Sequence, residues 1–178
     1  MGKEMTPQAA MVPVERPEAL VGATYKIKPP TSEHALYVTI NDIVVDEGTP
    51  QEQQRPFEML VNSKNMDHFQ WVVALTRMIS LVFRTASTPE GQKSIDLTKL
   101  VEELRSVFDP RGGYFKRGGK YAASIVAEIG DCIEQHLVYI GLLQKPELDE
   151  HQQKLIAEKR AQYEARTGKA APKAGASI

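Results

Sequence analysis

The chain changes its hydrophobic period once, and no other feature limits the possible folds as much. Between Ala35 and Val61 apolar side chains recur at every second residue; between His68 and Ile140 they recur at intervals of three and four. The first period is that of a half-buried strand and the second that of an amphipathic helix. Strands followed by helices predict an α+β fold: a small antiparallel sheet, made of a β-hairpin plus a short edge strand, packed by three helices, with a charged helix after them.

Leu36, Val38 and Ile40 alternate with Tyr37, Thr39 and Asn41. The phase then breaks at Asn41-Asp42 before Ile43 and Val45, which predicts a bulge. Phe57, Met59 and Val61 form the second strand, joined to the first by the polar stretch from Asp46 to Arg55, and Pro56 fits only at that strand's start. Tyr25-Lys26-Ile27 precedes Pro29-Pro30, which end any ladder, so it makes at most a short edge strand.

The first helix is read from His68, Trp71, Val72, Leu75, Ile79 and Val82, with Asn65 or Asp67 as its cap. Asp96 caps a second, whose apolar face is Leu97, Leu100, Val101, Leu104, Val107 and Phe108; Pro110 prevents its continuation. A third starts near Tyr121 and turns Ile125, Ile129, Ile133, Leu137 and Ile140 inward. Residues 144–167 read as a largely solvated charged helix. The expected organisation is a disordered arm over 1–23, one domain over 24–143, that helix, and a disordered tail over 168–178 rich in Ala, Gly, Lys, Pro and Ser.

Several function classes drop out on counting. With 22 Lys+Arg against 23 Asp+Glu there is no global field for nucleic acid or an anionic membrane, so any anion site is local. One cysteine, Cys132, excludes an internal disulfide, a CxxC redox pair and a thiolate zinc cage. The four histidines, His34, His68, His136 and His151, lack metal-ligand spacing, and no Ser/His/Asp arrangement can be proposed. Neither a secretory segment nor a membrane span is read, and the expected location is cytoplasmic. An accessory or binding polypeptide is expected, with no catalytic residues of its own.

Two segments are candidate ligand sites. The glycine-rich basic loop 110–120 holds Arg111, Gly112, Gly113, Tyr114, Lys116, Arg117, Gly118, Gly119 and Lys120. Convergent backbone N–H groups, four cations and an aromatic ring suit a nucleotide or single-stranded nucleic acid. The same composition also suits an exposed connection whose glycines adopt positive φ. The second candidate is Asn62, Ser63 and Lys64, in a segment running to His68 at the junction of the second strand and the first helix, where ordinary capping chemistry is the competing explanation.

Seven short runs in order carry a resemblance: Tyr37-Val38-Thr39-Ile40, Asp46-Glu47-Gly48-Thr49-Pro50, Pro56-Phe57-Glu58-Met59, Ala74-Leu75-Thr76-Arg77-Met78-Ile79-Ser80, Leu100-Val101-Glu102-Glu103-Leu104, Phe108-Asp109-Pro110 and Ser124-Ile125-Val126-Ala127-Glu128-Ile129. Over about Thr24 to Leu143 the chain resembles the TSCPD domain, found at the C-terminal end of adenosylcobalamin-dependent ribonucleotide reductases and as a small separate polypeptide in split versions of them. The Thr-Ser-Cys-Pro-Asp element is absent, its counterpart lying near Ala122-Ala123-Ser124-Ile125, and the chain ends without a cysteine-rich tail. The resemblance implies an accessory subunit that docks on a large ribonucleotide reductase chain. Adenosylcobalamin and the reacting thiols would sit on that partner, with no cofactor bound here. The alternative is a stand-alone nucleotide- or nucleic-acid-binding module built on loop 110–120.

Overall fold

The computed structural model describes residues 14–144 and scattered helical, exposed positions between 150 and 165. Most of the expected arm, and all of the expected tail over 168–178, lie outside the described residues. Strands β1 (Val21–Ile27), β2 (Leu36–Val45) and β3 (Gln53–Ser63) form one antiparallel sheet in the order β1-β2-β3. Helices α1 (Phe69–Ala86), α2 (Pro89–Ser94), α3 (Leu97–Ser106) and α4 (Ile125–Tyr139) follow, with the two-residue strands β4 (Tyr114–Phe115) and β5 (Tyr121–Ala122) between α3 and α4. The fold is therefore α+β, with the helices covering one face of the sheet.

The strand pattern holds, with three corrections. β1 begins at Val21, inside the expected arm, and the Arg16 guanidinium beyond it reaches Glu58 on β3 at 2.9 Å. The loop after β2 is shorter than expected, because β3 already starts at Gln53. Pro56 lies inside β3 at the register shift opposite Asn41 and Asp42, where Phe57 is skipped in the pairing. A residue without an N–H is tolerated at such a bulge on an edge strand. Because the extra residue is on β3, β2 keeps its phase. Leu36, Val38, Ile40 and then Asp42 all point inward, and Asp42 is buried.

The core joins Ile27, Val38, Ile40 and Met59 of the sheet to Ile79 and Phe83 of α1, Val101 and Leu104 of α3, and Ile129, Ile133 and Leu137 of α4. α1 also closes the free edge of β3. The Ser80 hydroxyl accepts the Met59 N–H at 2.9 Å and donates to the Thr76 carbonyl at 2.7 Å. That contact supplies an edge-strand donor with the partner that a neighbouring strand would otherwise give.

The helices depart from the sequence pattern at their ends and in one phase. Asn65 and Asp67 do not cap α1: the Asn65 side chain accepts the Asp67 N–H, and His68 is the cap residue, left-handed at φ 57°. The buried face of α1 is Thr76, Ile79, Ser80, Phe83 and Ala86, while Trp71 is exposed. Asp96 caps α3 as expected, accepting the Thr98 N–H at 2.9 Å, but Val107 and Phe108 lie beyond the helix and face solvent. α4 begins at Ile125, four residues after Tyr121, which belongs to β5, and Ser124 caps it by accepting the Ala127 N–H.

Candidate functional site

The basic loop is a small hairpin clamped onto α4. β4 and β5 pair across a turn in which the Lys116 N–H donates to the Lys120 carbonyl, and Gly118 and Gly119 hold φ of 95° and 80°. An L side chain is strained at both positions, so these glycines are explained by the turn itself. The Tyr114 hydroxyl donates to Glu128 on α4, and Lys116 Nζ lies 2.5 Å from Asp131, to which Lys120 also reaches at 3.4 Å. Arg105 of α3 meets the same Asp131 carboxylate at 2.7 Å and pairs with Glu134 as well. Of the four loop cations, two are thus turned onto an acidic strip of α4.

Burial alone would push the Asp131 carboxyl up, but its hydrogen bonds from Lys116 and Arg105 outweigh that and hold it below the usual carboxylate range. A carboxyl whose pKa is depressed by folding stabilises the fold above its unfolded pKa of about 4 and loses that contribution as the pH falls through the folded value. Asp131→Asn should therefore destabilise the protein by about 2 kcal/mol at neutral pH. Chemical denaturation at a series of pH values should show the gap to wild type closing below about pH 4.

The remaining loop cation that reaches a cavity is Arg111. A groove of about 670 Å³ runs past the beginning of β2 and the end of β3, and Arg111 lines it together with Ser63, His34, His68 and Phe69. Ile125 and Val126, at the start of α4, contribute to its apolar floor with Leu36 and Val61. Glu33 and Asp67 place carboxylates in the same lining, and Arg111 is held on its own loop by Asp109 at 3.3 Å. The structure brings Arg111 and Ser63, one residue from each candidate segment, onto one groove. Asn62 and Lys64 are exposed beside it, and Lys116 lines a separate cavity of about 280 Å³ with Glu128, Asp131, Cys132 and Tyr25. Gly112, Gly113, Arg117, Gly118, Gly119 and Lys120 line neither.

One polar constellation was missed in the sequence. The Tyr25 hydroxyl lies 2.9 Å from His136 Nδ1, and His136 Nε2 lies 2.7 Å from Asp42 Oδ1. Gln54 donates to the other Asp42 oxygen at 3.0 Å. His136 is fully buried, and burial, reinforced by the neighbouring Cys132 and Asp42, pushes the Tyr25 phenol up to about 12. Nothing local signals this chain, because its members lie on β1, β2, β3 and α4. The only hint is a carboxylate where the alternation of β2 calls for an apolar residue.

The single thiol is not a reactive one. Cys132 is buried in α4, and burial, with Glu128 adding to it, pushes its pKa up to about 12, far from the thiolate that redox chemistry needs. Among the described residues no group of three or more His, Cys, Asp and Glu side chains is placed to hold a metal ion, and no helix is long and apolar enough to cross a membrane.

The TSCPD domain family matches residues 5–137, a span that starts well before Thr24 and takes in β1 through nearly all of α4. No curated protein and no solved structure matches the chain. The sheet, the hairpin and helices α1 to α4 fall within the matched span apart from the end of α4, and the chain belongs to the TSCPD domain family, which is associated with ribonucleotide reductase-related proteins.

Proposed function

We propose that this protein is the accessory subunit of an adenosylcobalamin-dependent ribonucleotide reductase, working in deoxyribonucleotide synthesis with the catalytic residues on a large partner chain. The observation that carries the reading is the family match over residues 5–137. Supporting it, ribonucleotide reduction in such enzymes draws on several thiols, and the one thiol here is buried and held protonated. In this reading the cofactor and the reducing thiols sit on the partner. The test is the activity of the large chain, supplied with adenosylcobalamin and an external dithiol, with and without this protein. A clear increase together with a complex on gel filtration is expected; no effect and no complex would overturn the reading.

A second reading, a stand-alone nucleotide- or nucleic-acid-binding module, is favoured by the presence of Arg111 and Ser63 on one groove. It requires saturable nucleotide binding to this protein alone, weakened by Arg111→Ala and by salt.

A further inference from the structure

Helix α1 carries an apolar face that the core does not use. On the side opposite Ile79 and Phe83, the residues Trp71, Ala74, Met78 and Leu81 follow one another at intervals of three, four and three, the spacing of a helix-to-helix seam. Trp71 is 70% exposed, Met78 60% and Leu81 50%. A large aromatic side chain left in water beside Met and Leu in one row is the composition of an interface centre and not of a solvated surface.

The charges beside the seam select the kind of partner. α1 contains no Asp or Glu, and Arg77 and Arg84 lie along one flank of the seam. Arg84 faces Glu58, which is already engaged by Arg16; Arg77 has no carboxylate partner among the described residues. Pairing with a second copy through α1 supplies no counter-charge. An antiparallel pair sets the two arginine flanks against each other, and a parallel pair sets them against Leu75 and Val82. A helix whose apolar seam is flanked by carboxylates satisfies both the row and its border.

We infer that the outer face of α1 is a docking surface for an amphipathic, acid-flanked helix of the partner chain. This rests on the accessory-subunit reading, which supplies the partner. The seam residues bury their apolar area against the partner helix, and Arg77 fixes the register by pairing with a carboxylate at its edge.

Trp71 is the single tryptophan of the chain, so biosynthetic incorporation of fluorotryptophan gives the full-length protein one fluorine resonance, and that resonance reports on this face. Adding the cobalamin-loaded large chain should shift and broaden it. Met78→Glu should weaken the complex by at least about tenfold. Arg77→Glu should weaken it several-fold at low salt and less at high salt, while Val21→Thr on the far edge strand should leave it unchanged. A complex that forms with the Trp71 resonance unmoved and Met78→Glu without effect overturns the docking face and leaves the subunit reading standing. Failure of the wild-type protein to form any complex overturns the subunit reading and this inference with it. A resonance that moves with this protein's own concentration, without the large chain, assigns the face to a second copy and overturns the acid-flanked partner.

Discussion

Replacing Asp42 by Ala should lower the unfolding free energy by about 3–5 kcal/mol, as expected when one member of a buried polar pair is removed. The loss arises from what stays behind. His136, with no exposed surface, keeps a ring nitrogen 2.7 Å from where Asp42 Oδ1 was, and the Gln54 amide loses its acceptor too. A buried donor without a partner has given up its hydration and gained nothing in exchange. For a domain of this size the loss corresponds to a fall in Tm of about 10–15 °C. Asp42→Asn, which retains one acceptor oxygen, should recover part of the difference. Thermal unfolding followed by circular dichroism measures both; a change under about 1 kcal/mol for Asp42→Ala would mean that water replaces the carboxylate and that the site is not sealed.

Phe83→Ala should cost a similar amount, about 3–5 kcal/mol, by removing a fully buried ring from the centre of the core and leaving a cavity that the sheet and α4 cannot close. Phe83→Leu should cost less, because most of the volume remains. Trp71→Ala on the same helix should stay within about 0.5 kcal/mol of wild type, since most of that side chain is in water. Urea denaturation of the three variants measures the orientation of α1 directly. A large loss at Trp71 with a small one at Phe83 would show that the helix is turned the other way.

The orientation of α1 is the clearest case of a pattern read correctly in period and only partly in its face: Ile79 lies in the core and Leu75 and Val82 pack against it, while Trp71 is left in water. Trp71, Val72, Leu75, Ile79 and Val82 do recur at helical spacing, but the helix carries apolar residues on two sides, with Phe83 and Ala86 on one and Met78 and Leu81 on the other. Periodicity identifies such a helix without saying which face meets the sheet. The choice falls to Ser80 and Thr76, small polar residues that sequence reading sends to the surface. Ser80 is buried because its hydroxyl bonds the open edge of β3.

The candidate site was legible in its members and not in their grouping. Loop 110–120 stood out as basic and glycine-rich, yet the structure divides it. Arg111 goes to the groove with Ser63, and Lys116 and Lys120 go to Asp131 on α4. Which cation meets an acid depends on where α4 lies beside the hairpin, a contact between residues far apart along the chain. The Tyr25–His136–Asp42 chain left no sign in the sequence beyond the carboxylate at an inward position of β2, for the same reason.

What the sequence alone determined is what local interactions determine. The order of strands before helices follows from the period of burial, the cap at Asp96 from short-range hydrogen bonding, and the lack of an internal disulfide or a thiolate zinc cage from a single cysteine. The tertiary structure alone decided which strand carries the extra residue, which side of α1 is buried, and that Asp42 is a core residue. In each case the deciding partner is remote: Phe57 across the sheet, Met59 across the helix–strand contact, His136 across the core. A side chain's fate there depends on an interaction whose other half is supplied only when the chain closes on itself.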